Sequence, residues 1–409
     1  MSYDVAALRT RFPSLASGIA HFDGPGGTQV PREVADAVAA TMAASISNRG
    51  AGLAGSERSA NEVVADFRAA YADLLGADPR GVVHGRSATT LTYDVARVLA
   101  RTWQPGDEVV VSRLDHYANV RPWIQVAEAR GATVRWLEID PRSAELDERS
   151  IDEAITDRTR LVAVTGASNL LGTMPDVRRV ADAAHAVGAL VHVDAVHLAA
   201  HHRVGLERLG VDLMVCSPYK FLGPHCGVLA ASPGLLEDLR PDKLLPSTDV
   251  VPERFELGTL PYEQLAGATA AVDVLAGLAP GGATTRPAML DASFAALDAH
   301  ETRLRQRLED GIAALGEDRV VLHSRARHRT PTLFLTFPGR RSRAAYEFLA
   351  GRDVLAPAGS FYAIEPWQRL RDELGLEDEG GLRLGLAPYV DDEDVDRVLA
   401  GLGEWLAVS

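Results

Sequence analysis

The sequence predicts an open α/β fold: a mostly parallel central sheet with helices on both faces, followed by a smaller C-terminal α+β unit. Three observations predict it. Apolar runs of strand length alternate with helical patterns over most of the first 230 residues, the order expected of strand–helix–strand units. The strands are near-continuous apolar runs, as burial on both faces requires. Past the loop "LAPGGATTRP" (278–287) the pattern changes to one long amphipathic helix and a separate strand, which marks a boundary.

Taken in order, Gly81-Val82-Val83-His84 reads as a strand and a helix follows from about Thr89 to Thr102. "DEVVVS" (107–112) is a strand, Val120 to Arg130 a helix, and "ATVRWLEI" (132–139) a strand. "TRLVAVTG" (159–166) is the next strand, and "DVRRVADAAHAVG" (176–188) is a helix ending at its glycine. "ALVHVD" (189–194) follows as a strand. Two short runs, Leu213-Met214-Val215 and Gly227-Val228-Leu229-Ala230, flank the segment "CSPYKFLGPHC". Beyond the boundary, periodicity predicts a helix from about Met289 to Leu315 and a strand over 330–339.

Composition excludes several classes. The chain has 409 residues, 46% hydrophobic and 24% charged, which is ordinary for a globular protein with a large core. Its net charge of −14 argues against nucleic acid or an anionic membrane as the main partner. The basic run Arg325-Ala326-Arg327-His328-Arg329 reads as a solvated loop. "MSYDVAALRTRFPSL" lacks the apolar core of a signal peptide, and no apolar run reaches the ~20 residues of a membrane span. A soluble cytoplasmic protein is expected. The two cysteines, Cys216 and Cys226, cannot form a disulfide framework and are expected as buried, reduced thiols.

In an open parallel sheet, ligands gather beyond the carboxyl ends of the strands. Five strand ends here carry polar or reactive residues: "GRSATT" (85–90), His116, Asn169, Asp194 with His197, and Ser217, Tyr219 and Lys220. "GRSATT" opens a helix, and free N–H groups at a helix start suit a phosphate, although Ser87 or Thr89 could equally serve as a plain cap. A phosphate cradle, a carboxylate, an aromatic face and a lysine together match pyridoxal phosphate. Its aldehyde joins a lysine, its ring nitrogen is kept protonated by a carboxylate, and its phosphate takes N–H and hydroxyl donors. Asp194 and Lys220 suit the two central roles.

The segments "LVHVDAVHLAAH" and "CSPYKFLGPHCGVL" resemble the signature of the class V aminotransferase group of fold-type I pyridoxal phosphate enzymes. That group includes cysteine desulfurases, selenocysteine lyases, isopenicillin N epimerase and kynureninase. Further matches are "FDGPGGTQVP", "RTWQPGDEVVVSRLDHYANVRPW", "ASNLLGT", "RFELGT" and "GLRLGLAPYVDDEDVDRVL", so the resemblance spans nearly the whole chain and is closest to the cysteine desulfurase-like subgroup. It implies a fold-type I transferase with a large cofactor-binding domain over 21–285 and a small domain over 286–409. An N-terminal segment, 1–20, would pack with the small domain.

The resemblance also implies roles. Lys220 corresponds to the Schiff-base lysine, Asp194 to the partner of the ring nitrogen, and His116 to the histidine that stacks on the ring. Thr89, Thr90, Ser217 and Tyr219 fall where the phosphate is held, with Tyr219 standing where many relatives have histidine. His197 stands where desulfurases carry a glutamine near the ring hydroxyl, and Asn169 lies beside ring and substrate. Thr259 corresponds to a threonine that reaches the phosphate of a neighbouring subunit, which implies a homodimer with active sites at the interface. Arg383, which alone reads as a surface arginine, corresponds to the grip on the substrate carboxylate.

In desulfurases a cysteine in a mobile loop before that arginine takes up sulfur as a persulfide. Here the loop reads "PAGSFYAIEPW", with Tyr362 at that position. The expected function is therefore a pyridoxal phosphate-dependent C–S lyase acting by β-elimination on a small amino acid, without the persulfide cysteine. Tyr362 is read as a pocket wall or a proton donor. A class V aminotransferase or epimerase is the alternative, and a non-catalytic cofactor-binding or sulfur-pathway interaction protein is the alternative of another class. Two further readings have thinner support. His197 and His201 stand at i and i+4 but lack the intervening glutamate of a zinc protease, so no metal is expected. "GPGG" (24–27) follows only a very short strand and precedes a proline-bearing turn, unlike a dinucleotide fingerprint.

Overall fold

The computed structural model describes residues 3–408. Seven strands form the main sheet: β1 (Val82–Gly85), β2 (Glu108–Ser112), β3 (Thr133–Leu137), β4 (Thr159–Thr165), β5 (Leu190–Asp194), β6 (Leu213–Cys216) and β7 (Gly227–Ala231). Their order across the sheet is β1-β7-β6-β5-β4-β2-β3. All run in one direction except β7, which is antiparallel to both neighbours. Every residue of β2, β6 and β7 is buried, because helices cover both faces of the sheet.

Local chemistry sets the helix ends. Ser87 accepts the Thr90 N–H at 3.1 Å and starts the helix Ala88–Leu99. The helix Val177–Ala186 begins with Asp176 accepting from Arg179 N, and the chain leaves it through Gly188 at φ +77°. A Cβ at Gly227 would lie 2.3 Å from the carbonyl carbon of Ser87. Only glycine therefore lets the start of β7 approach the start of the helix Ala88–Leu99, which fixes that helix end at the edge of the site.

A second sheet follows the helix Arg286–Ala314: β8 (Val321–Leu322), β9 (Thr332–Thr336), β10 (Ala358–Gly359) and β11 (Gly381–Gly385), in the antiparallel order β8-β9-β11-β10. The N-terminal residues lie against this part of the chain. Ala20–His21 pairs with Val354–Leu355, Tyr3 donates to the Pro388 carbonyl at 2.5 Å, and Arg9 donates to Asp394 at 2.7 Å.

Two expected strands are shorter than the apolar runs suggest. The run 132–139 breaks after Leu137, and Ile139–Asp140 pairs with Glu145–Leu146 instead. Glu138 is drawn away because its N–H donates to Ser150 Oγ and its carbonyl accepts from Asp147 N. The run 330–339 is strand only over Thr332–Thr336, since Thr330 N donates to the Gly172 carbonyl across the gap between the two sheets.

Candidate active site

The carboxyl ends of β2, β4, β5 and β6 open into one cavity of about 610 Å³, closed from the other side by the loop 357–362 and by β11. Thr89, His116, Asn169, Asp194, His197, Ser217, Tyr219, Lys220, Tyr362 and Arg383 all line it. Thr90 and Thr259 do not. Thr90 is turned one helical step from Thr89, with its hydroxyl 3.0 Å from Ser87 Oγ. Thr259 is exposed in the loop after Phe255, away from the cavity of its own chain.

β6 ends at Cys216, and one 3₁₀ turn, Pro218–Lys220, brings the lysine back over the strand end. The Lys220 ammonium donates to the Pro25 carbonyl and lies 4.7 Å from the Tyr219 ring centroid. Burial, then the nearby Arg383 charge, lowers its pKa to about 8, against the opposing pull of Asp23 and Asp194. Tyr219 is itself held flat against His225, with centroids 4.6 Å apart and planes 9° apart.

Asp194 ends β5. One oxygen accepts from Val196 N at 2.9 Å, and burial raises its pKa to about 6 despite that bond and Lys220. His116 stands beyond β2 and accepts the Ala118 N–H at Nδ1, 3.1 Å away. Burial, then Lys220 and Arg383, lowers its pKa to about 4, so the ring is neutral and its proton sits on Nε2. His197 is anchored by Thr330 and Thr332, whose hydroxyls lie 2.9 and 3.0 Å from its Nε2. The rings of His197 and His201 meet edge to face at 4.9 Å, but His201 Nδ1 pairs with Glu301 at 2.9 Å. Among the described residues no group of three or more side chains is arranged to hold a metal ion.

Arg383 lies mid-strand in β11, opposite Phe334, and is 2% exposed. Leu382 and Leu384 on either side enter the core, so the alternation of the strand turns Arg383 to the cavity. It donates to the Asn169 carbonyl at 3.0 Å and to Asp23 Oδ1 at 2.6 Å, with its guanidinium 3.7 Å from the centroid of Phe361. Asn169 in turn donates to the Phe361 carbonyl at 2.9 Å. Phe361 and Tyr362 both have left-handed backbones, φ +53° and +56°, a strained conformation for aromatic residues.

Three residues here escape sequence reasoning. Asp23 lies inside the quoted "FDGPGG", where the glycines draw attention first. Asp115 stands next to His116, fully buried, and accepts from Asn119 at 2.6 Å and Thr165 N at 2.9 Å. Burial pushes its carboxyl well above the usual range, and the nearby Asp194 adds to the rise. Arg121 lines the cavity from the start of the helix Arg121–Arg130.

The donor set fits pyridoxal phosphate: an amine, a buried carboxyl, an imidazole and hydroxyls beside a helix start. Two buried polar atoms of cavity-lining residues, Asn169 Oδ1 and Arg383 Nε, have no protein partner, as expected where a polar ligand completes the site. The volume also suits a cofactor with a small substrate.

Residues 20–398 match the family described as Aminotransferase class-V. An uncharacterized Mycobacterium tuberculosis protein, MT3887, is 33% identical, covering 98% of this chain and 100% of its own. A probable cysteine desulfurase of Pseudomonas aeruginosa is 31% identical, with 96% of each chain covered. The crystal structure of the Escherichia coli cysteine desulfurase CsdA superposes with a TM-score of 0.86 at 26% identity and 100% coverage of both chains.

Proposed function

The chain belongs to the class V aminotransferase family, whose members use pyridoxal phosphate, and as a cysteine desulfurase-like enzyme of that family we propose that it is a C–S lyase. Its substrate would be a small sulfur-containing amino acid, cleaved by β-elimination without a protein-bound persulfide. The observation that carries this reading is the placement of the thiols. Cys216 and Cys226 are 0% and 2% exposed within the sheet, and burial pushes the Cys226 thiol up to about 12. The loop at the cavity mouth presents Tyr362 instead, 74% exposed.

When bound, the cofactor supplies an aldehyde carbon and a ring that accepts electrons. Lys220 would hold that carbon, Asp194 the ring nitrogen, His116 the ring face, and Thr89, Ser217 and Tyr219 the phosphate, with His197 and Asn169 at the ring edge. Arg383 would bind the substrate carboxylate through its planar fork, positioned by Asn169 and Phe361. Lys220, with a pKa near 8, can take a proton at Nζ near neutral pH. His116, neutral with its proton on Nε2, can donate a hydrogen bond to departing sulfur, which leaves as a thiolate and takes its proton from water. For cysteine the balance is closed by water alone: cysteine and water give pyruvate, ammonia and hydrogen sulfide.

We also infer a cytoplasmic homodimer. Leu244, Leu245, Val250 and Leu257 are all at least 64% exposed, and Thr259 stands among them, a surface that suits a second copy of the chain. Two free buried cysteines suit a reducing compartment. Incubation with cysteine and with S-ethylcysteine tests the reaction. Pyruvate and ammonia released in equal amounts from both support it; alanine together with a protein persulfide would overturn it.

A further inference from the structure

Among the described residues, Arg121 is the one arginine that is not exposed and yet has no hydrogen bond, ion pair or ring contact for its guanidinium. It is half-buried on the cavity wall, at the first turn of the helix Arg121–Arg130. Tyr93 and Tyr117 line the same cavity, and neither hydroxyl has a hydrogen-bond partner among the described residues. The other arginine of the cavity is differently placed: Arg383 is neutralised by Asp23 and backed by Asn169.

The two guanidiniums enter the cavity from different elements, Arg383 from β11 and Arg121 from the first turn of the helix Arg121–Arg130. Arg383 lowers the pKa values of His116, His197 and Lys220, whereas Arg121 figures in none of them. The nitrogens of this half-buried guanidinium are not sealed from the cavity and meet no counter-ion there, so they are free to receive an anion that enters. Nothing acidic on the lining is spare for this task. Asp23 is engaged by Arg383, and Asp194 lies at the strand end near Lys220.

We propose that Arg121 is a specificity residue that binds a carboxylate at the far end of the substrate side chain, so that the preferred substrates are thioether amino acids with a distal carboxylate. Arg383 takes the α-carboxylate, Arg121 the distal one, and the tyrosine hydroxyls of Tyr93 and Tyr117 add donors to the second. This rests on the cavity being an amino-acid site and is independent of which bond is cleaved. If elimination occurs, S-carboxymethylcysteine and water give pyruvate, ammonia and thioglycolate: the C–S bond breaks, the α-proton is lost and thioglycolate leaves with the electron pair.

The test compares S-carboxymethylcysteine with S-ethylcysteine on the wild-type protein and on Arg121→Gln and Arg121→Lys. Binding is read by the spectral change and thermal shift of the holoenzyme, neither of which requires turnover. Cofactor affinity and sedimentation are measured alongside. Expected is a roughly 10- to 100-fold loss of affinity for the carboxymethyl compound in Arg121→Gln, little change for the ethyl compound, and partial recovery in Arg121→Lys. Cofactor affinity and oligomeric state should be unchanged. Equal weakening toward both compounds, a loss of cofactor affinity, or altered self-association would each overturn the assignment, the last two by giving Arg121 to the cofactor phosphate or to a subunit contact. Selective binding without pyruvate would leave the assignment standing and count against the lyase reading alone.

Discussion

Arg383 and Asp23, 360 residues apart, form an ion pair of 2.6 Å in which the arginine side chain is 2% exposed and the aspartate 29%. The carboxylate that neutralises Arg383 before substrate arrives is thus the chain's own. Asp23 also raises the pKa of Lys220. In Asp23→Asn a buried guanidinium loses its counter-ion, so stability should fall by about 2–4 kcal/mol, read from urea unfolding. The freed cation should meanwhile bind carboxylate inhibitors more tightly. Unchanged stability with weaker inhibitor binding would show that Asp23 helps to orient the fork and does not compete for it.

Lys220 has a signature that does not depend on turnover. Lys220→Ala should remove the visible absorbance of the lysine-linked cofactor, and borohydride should no longer fix cofactor to the chain. In cofactor-free protein the folded-state pKa of about 8 lies below the ordinary 10.5. Between these values the unfolded chain holds a proton that the folded chain lacks, so this lysine makes stability rise with pH across that window. Below about pH 8 both states are protonated and the folded state bears the full cost of the buried charge. Lys220→Met should flatten the rise; an unchanged pH profile would place the titration elsewhere.

His197 depends on two hydroxyls, that of Thr330 just before β9 and that of Thr332 at its start. Replacing both by valine leaves its Nε2 buried without a partner, at a cost of about 1–3 kcal/mol. Because the two threonines tie the cavity to β9, cofactor retention on gel filtration should also fall. Loss of stability with full retention would confine His197 to a structural role.

Much of the fold was legible because parallel strands buried on both faces write themselves as apolar runs, and their polar ends stand out against these runs. What was hidden follows from what a linear pattern lacks. Thr89 and Thr90 differ by one helical step of about 100°, which decides cavity or solvent and leaves no trace in composition. Asp23 and Arg383 meet only after the N-terminal strand pairs with Val354–Leu355 and β11 folds back. Glu138 reads as strand, yet tertiary partners at Asp147 and Ser150 claim its backbone. Arg121 sits within a quoted match, but its lack of a partner is a property of the assembled wall.

The thiols give the sharpest separation between the proposed lyase and a sulfur-transferring enzyme. Cys216 ends β6 and Cys226 directly precedes β7; both are buried, with their thiols held protonated by burial. A persulfide carrier must be a thiolate within reach of substrate sulfur, and neither residue lines the cavity. Buried cysteines act as small apolar side chains, so changing both to alanine should cost about 1–2 kcal/mol of packing. The double variant should still release pyruvate from cysteine at close to the parent rate, measured well below its own melting temperature. To separate packing from chemistry, Cys216→Val and Cys226→Val remove sulfur without leaving a cavity, each adding about one methylene, and should behave alike. Loss of turnover in all of these variants, with cofactor still bound and the fold intact by circular dichroism, would assign a thiol to the reaction and return the enzyme to persulfide chemistry.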